Sequence, residues 1–338
     1  MVYFKKNWPF LLGLLSTISL LWPLVWASYF SHQDDVQIIR LYEMSKCFLD
    51  HQIPCRWVPD LGGLYGYPLF NYYAPLPYYF GATIYFLTHS LLVSSKLMFA
   101  VSFVGSYIFM YLLANKLWGK LGGSLAAIFY SFAPYHAVDF YVRGAMGEMW
   151  ALMFFPAIFW TILKLEEKTN IFNLLILGIT ISALIISHNL SAMIFLPIAL
   201  IWAVFLFFKR KKRLFLWSFA GSVILAMMLS AFYLLPVTFE KNLAHLETTI
   251  IGYFSYTEHF KGFRKMLIDR SWGYGASVRE VPGGEKDGLP YQIGWAHLLG
   301  LFLAGITAKS LWKKNRYISL MVIFFSVITL LAAFMVHP

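Results

Sequence analysis

Apolar residues in this chain gather in repeated runs, separated by short polar stretches, and most runs are long enough to cross about 30 Å of hydrocarbon. Read as helices, they predict nine spans at about 9–30, 95–115, 121–135, 149–164, 171–187, 190–208, 214–236, 293–312 and 317–335. One further run, 76–93, differs in kind. It is preceded by and contains Tyr72, Tyr73, Pro75, Pro77, Tyr78, Tyr79 and Tyr85, a mixture suited to the headgroup zone, so it is expected to lie at the interface or re-enter. Between the first two spans, Val36, Ile39 and Met44, with Arg40 and Glu43 between them, predict a helix lying along the membrane surface. No internal repeat, inverted pair or low-complexity segment interrupts the pattern.

Composition supports the reading. Hydrophobic residues make up 59% of the 338 positions and charged residues 13%, with a mean hydropathy of +0.64. That is too few charges to cover a soluble globule, which carries about 25%. The net charge of +11 would suit nucleic acid if it formed a face, but it does not. The basic residues sit in turns: Lys5-Lys6, Lys116 with Lys120, 209–213, and Lys313-Lys314 with Arg316. Counting 76–93 as a span would place the Lys116–Lys120 cluster and the 209–213 cluster outside, and excluding it returns every cluster to the cytoplasm.

The expected fold is therefore all-α and polytopic, a single transmembrane domain over 1–338 with interfacial helices in its first outer loop, 31–94, and a second large outer loop at 237–292. The N-terminus is expected inside the plasma membrane and the active face outside. The first run lacks a small-x-small cleavage site, with Trp22, Pro23 and Trp26 in its place, so it reads as an uncleaved helix. The last span runs to Pro338, which leaves open that the chain is part of something longer.

Candidate chemistry lies in the outer segments. Asp34 and Asp35 follow a hydrophobic span directly, where mutual repulsion and partial burial favour a general base, although Asp also caps helices. In the same loop Arg56, beside Trp57, suits an anionic headgroup, and the Pro/Gly/aromatic run around it suits either a rigid loop or a groove for sugar or lipid. Cys47 and Cys55 are the only cysteines, and outside the cytoplasm a disulfide between them is permitted. A second segment concentrates His136, Asp139, Arg143 and Glu148. Arg143 either binds phosphate through its planar fork or pairs with Asp139 four residues away. His188 and Asn189 add a polar spot in a turn between two apolar helices. The large loop carries charges of both signs, from Glu240 to Arg279. No P-loop, dinucleotide fingerprint, H-E-x-x-H or G-x-S-x-G occurs, which argues against nucleotide-driven chemistry.

Q-D-D at 33–35 after the first span, G-Y-P-L-F-N-Y-Y-A-P-L-P-Y-Y at 66–79 and Y-V-R-G-A-M-G-E at 141–148 together resemble the GT-C superfamily of polytopic glycosyltransferases. The combination also resembles bacterial and archaeal membrane proteins labelled 6-pyruvoyl-tetrahydropterin synthase-related. The resemblance implies inverting transfer of a sugar from a polyprenyl-phosphate-linked donor, in membrane lipid, to a glycan, lipid or protein acceptor outside the cytoplasm. In those terms Asp34 or Asp35 is the base, and Arg143, with Arg56, meets the phosphate charge. Glu148, His188, Asn189 and Asp139 contact substrate or support those that do. Some relatives use a divalent metal, Mg or Mn, for which Asp35 is the candidate ligand. The competing expectation is a non-catalytic protein that binds or moves a lipid-linked saccharide.

Overall fold

A computed structural model of the chain describes residues 2–26, 29, 31–278 and 288–337, so Arg279 and the rest of 279–287 in the large loop lie outside the described residues. The described residues are helical, and their only strand-like pairing is an isolated bridge between Val58 and Tyr67. The chain divides into two compact units, residues 1–131 with 144–241 and residues 132–143 with 242–338.

The first unit opens with α1 (Val2–Ser19), which breaks at Leu20-Leu21 ahead of the short α2 (Trp22–Trp26). Three elements of the first loop follow: α3 (Gln37–Leu49), α4 (Leu69–Tyr72) and α5 (Leu76–Thr88). Thirteen residues at 1.5 Å each give α5 a length of about 20 Å, short of the roughly 30 Å hydrocarbon layer, and His89 closes it in the left-handed region. The long α6 (Leu91–Ser131) is continuous except at Gly119, whose φ of 75° lies outside helical space and divides it into two arms beside Lys116 and Lys120. Past the second unit's insertion come α8 (Met146–Glu167), α9 (Ile171–Ile185), α10 (Asn189–Arg210), α11 (Arg213–Leu229) and α12 (Ala231–Phe239). The insertion between α6 and α8 carries α7 (Pro134–Ala137). The last two helices of the first unit bend by 72° at Ser230, where its hydroxyl and that of Ser182 share a 2.8 Å hydrogen bond.

Four described helices are long and apolar enough to cross a membrane: α6, α8, α10 and the C-terminal helix introduced below. Counting the bent α11–α12 pair makes five. The indole of the buried Trp150 donates to Met98 O, and that of Trp202 to Phe159 O, so the largest rings in this core carry satisfied polar ends.

The polar groups of this unit collect at two ends. At one, Lys116 pairs with Glu167 at 2.8 Å and Lys120 donates to Asn7. At the other, His32 stacks on Phe99, and the backbone N–H of Leu76 donates to Ile186 O. From Phe99 to Lys116 α6 rises about 25 Å, which separates these two ends along the helix.

The second unit contains α7, a π-helical turn over Val138–Arg143, α13 (Phe263–Leu267), α14 (Trp295–Leu311) and α15 (Arg316–Val336), with 3-10 turns through the large loop. Val138 and Val142 pack with Leu289 and Tyr291, and Lys261 N–H donates to Val336 O.

Candidate functional site

The first loop packs its charges differently from the amphipathic expectation. In α3, Met44 is buried as expected, but Val36 ahead of it and Ile39 within it are exposed, while Arg40 is half-buried and Glu43 fully buried. Partners explain the reversal for Arg40. Its Nη1 donates to Asp34 Oδ2 at 3.0 Å and to the Tyr73 hydroxyl at 2.9 Å, and its guanidinium lies 4.0 Å from the Tyr73 ring centroid.

Asp34 is held on one side only. Its Oδ2 also accepts from Gln37 Nε2 at 2.7 Å, and its side chain is 35% exposed. The same Gln37 amide nitrogen donates to Gly144 O at 2.7 Å, and its oxygen accepts from the buried Tyr78 hydroxyl, so the amide is fully used. Burial raises the pKa of Tyr78 well above its ordinary value and also raises that of Tyr73, which keeps both phenols neutral.

Asp35 has a different occupation. Its Oδ1 accepts from His32 N–H at 2.7 Å and from the Tyr29 hydroxyl at 2.8 Å, closing a turn, and these donors hold its carboxyl below the ordinary range. His32 Nδ1 lies 3.6 Å from the same oxygen, and burial lowers its pKa against the pull of the Asp35 charge. Neither aspartate caps α3, whose cap residue, Val36, has no side-chain bond.

Gly144 and Gly147 gather the other pieces. Gly144 has φ +65°, and a Cβ there would sit 2.6 Å from His32 Cβ. A Cβ on Gly147 would sit 2.7 Å from Ser187 O and 3.4 Å from His188 Cδ2. The turn ahead of α8 thus backs onto both the Asp34–Gln37 network and the Ser187–Asn189 turn. His188 itself caps α10, its Nδ1 accepting from Ser191 N–H, and Asn189 Oδ1 accepts from Leu190 N–H. Glu148 occupies the first turn of α8, where a carboxylate favours the helix dipole.

Arg56 works as a brace. It donates to Asn71 Oδ1 at 2.9 Å and to Phe232 O at 3.4 Å, and Asn71 donates on to Glu240, which joins the first loop to α12. Cys47 and Cys55 form a disulfide. Within the second unit, Arg143 Nη1 donates to Asp139 Oδ1 at 2.6 Å and to the Tyr135 hydroxyl at 2.7 Å, and Asp139 is fully buried. Among the described residues no three His, Cys, Asp or Glu side chains are grouped to hold a metal ion. With Asp35 Oδ1 already engaged by protein donors, the donor set does not fit Mg or Mn.

Sequence reading picked out Asp34 but passed over Gln37, Arg40 and Tyr73. The spacing of Gln37 and Arg40, three and six residues beyond Asp34 at the start of a helix, was the available signal.

Fold and site together define a helical membrane protein with a polar cluster, built on its first loop, at one end of the first unit. The chain matches the sequence profile of the 6-pyruvoyl-tetrahydropterin synthase related domain, described as a membrane protein, over residues 70–271. The chain belongs to this family. The matched region includes Asp139, Arg143, Glu148, His188 and Asn189 and begins after Asp34 and Arg40. An uncharacterized protein of Lactococcus lactis subsp. cremoris (strain MG1363) is 27% identical over 207 residues, which cover 59% of this chain and 34% of that protein. The chain therefore spans about a third of the length of the curated relative it matches. No solved structure matches it.

Proposed function

We propose that the chain is a GT-C-like glycosyltransferase of the plasma membrane, with nine spans, its N-terminus inside and its active face outside. The acceptor would be a glycan, lipid or protein beyond the cytoplasm, and the donor a polyprenyl-phosphate-linked sugar. The observation that carries the reading is the asymmetric hold on Asp34: Gln37 and Arg40 both grip Oδ2, and the carboxylate is part-exposed beside a neutral, buried tyrosine cluster. That fixes a carboxylate's direction while leaving a face for an acceptor hydroxyl.

In the proposed step the acceptor oxygen attacks the anomeric carbon, and the bond from that carbon to the phosphate oxygen breaks. The hydroxyl proton passes to Asp34, and the electron pair leaves on the lipid phosphate. Configuration inverts because attack and departure are on opposite faces. Asp35, closed into its turn by His32 and Tyr29, supports the loop rather than taking the proton. Arg143, its fork oriented by Asp139 and Tyr135, has the chemistry to hold a phosphate. The sidedness draws support from the opposite ends of α6, which separate His32 from Lys116 and Lys120.

The test is analysis of lipid-linked sugars and surface glycans in cells carrying Asp34→Asn or Asp35→Asn. Loss of a product with Asp34→Asn, and its retention with Asp35→Asn, is expected. Unchanged products in both and in the double variant would remove the base. The alternative, a non-catalytic protein that binds or moves a lipid-linked saccharide, would show equal lipid-sugar binding in wild type and variants with no turnover in any.

A further inference from the structure

The end of α15 away from the Lys313–Arg316 turn carries a second set of basic residues. α15 is long and apolar enough to cross a membrane, and its 21 residues rise about 31 Å, close to the thickness of the hydrocarbon layer. Val336, its last residue, therefore stands at the membrane–water boundary. Lys261 N–H donates to Val336 O, and the Phe263 ring centroid lies 4.1 Å from that of His337. Ile293 N–H, just ahead of α14, donates to Met266 O. These contacts tie α13 to the boundary where α14 starts and α15 ends.

A hollow of about 700 Å³ opens there, lined by Gly262, Arg264, Lys265, Ile268, Asp269 and Arg270. Its charges are not spent equally. Asp269 accepts from Ser271 N–H at 2.8 Å and pairs with Lys265 Nζ at 3.0 Å, which together hold its carboxyl down at about 2, so it stays ionised. Lys261 is buried and donates to Val278 O. Arg264 and Arg270 are exposed, and among the described residues neither has a carboxylate partner; Arg270 lies instead 5.1 Å from the ring centroid of the exposed Trp295. Membrane orientation does not account for them, because that rule gathers cations at the Lys313–Arg316 end. A guanidinium fork keeps its charge and matches two oxygens of a phosphate. At this depth the abundant phosphate is that of a lipid headgroup, and the exposed Ile268, Phe263 and Trp295 suit the headgroup zone better than open water. A zwitterionic headgroup brings its own cation and an anionic one does not, so two unspent arginines discriminate between them.

We propose that this hollow binds the headgroup of an anionic phospholipid, with Arg264 and Arg270 on its phosphate and Ile268 and Trp295 against the upper part of its chains. The site is separate from the proposed sugar transfer and needs no turnover. The full chain, carrying a fluorophore on Trp272→Cys, is placed in nanodiscs of phosphatidylcholine containing nitroxide-labelled phosphatidylglycerol or nitroxide-labelled phosphatidylcholine, and quenching reads the local preference between the two. An arginine near an anionic surface is worth roughly fivefold, so phosphatidylglycerol should be preferred about tenfold or more. Arg264→Gln and Arg270→Gln should each cut that preference by roughly fivefold, and the pair together should abolish it. Asp269→Asn removes the carboxylate lining the hollow and should raise the preference, a gain that a misfolded chain would not show. Lys313→Gln with Lys314→Gln, at the other end of α15, should leave the quenching unchanged. An undiminished preference in the double arginine variant, no increase with Asp269→Asn, or an equal loss with the lysine pair would overturn the proposal. So would saturable binding of inorganic phosphate to the chain in pure phosphatidylcholine nanodiscs, lost with both arginines, which would assign them to a soluble anion.

Discussion

Replacing Gly144 by alanine perturbs the proposed site at the point where its pieces meet. Two costs add. The backbone φ of +65° is left-handed, which an alanine adopts at about 1–2 kcal/mol. The new methyl would also stand 2.6 Å from His32 Cβ and 2.7 Å from its Cγ, and overpacking of this kind costs typically about 1–3 kcal/mol. The sum is about 2–5 kcal/mol. Gly252→Ala is the internal control, since its φ is +56° but nothing lies within 4 Å of a Cβ there, so it should show the backbone cost alone. Thermal unfolding in detergent, followed by tryptophan fluorescence, measures both. His32→Gly alone and His32→Gly with Gly144→Ala close a double-mutant cycle. Removing the whole side chain, Cβ included, should recover the steric part, giving a coupling of about 1–3 kcal/mol. If Gly144→Ala proves no worse than Gly252→Ala, or if the double variant shows no coupling, His32 is not packed over Gly144 and the frame proposed for Asp34 fails with it.

Two further outcomes follow from the first loop. Burial, then the charge of Asp60, raises the pKa of Glu43 against the pull of Lys46 and the Asp60 backbone. A raised carboxyl favours the folded state below the ordinary glutamate range and loses that advantage as pH rises through the folded value. Glu43→Gln should therefore gain stability relative to wild type from acid toward neutral pH in thermal melts; a gap constant with pH would contradict this, whatever offset the amide brings. Opening the Cys47–Cys55 disulfide as Cys47→Ser with Cys55→Ser should cost about 2.5 kcal/mol by loop entropy for a separation of 8 residues, read as a lowered melting temperature. No change in melting would show that the loop is held by its other contacts.

Much of the helical order was legible because apolar runs and basic turns are strong, one-dimensional signals. The break at Gly119 falls between the runs 95–115 and 121–135, and the α10–α11 turn lies within the basic cluster 209–213. The disulfide, too, joins the two cysteines that the outer-loop reading had brought together. What the pattern could not carry was tertiary compensation. Arg40 looked like a solvated residue on a surface helix because the sequence does not show that Tyr73, 33 positions on, would receive it. That His188 caps α10 was not legible, because an imidazole cap is an uncommon choice beside Ser, Thr, Asp or Asn. The two glycines of G-A-M-G at 144–147 gave no hint that His32 and the Ser187–His188 turn would press against them.

The central claim is that the Asp34 network and the basic turns face opposite sides of the membrane. Substituted-cysteine labelling tests it in whole cells, with the native pair changed to serine and a single cysteine placed by Asp34→Cys or by Lys211→Cys. A membrane-impermeant maleimide should label position 34 in intact cells and reach position 211 only after permeabilisation. Labelling of both positions from the same side would contradict the account.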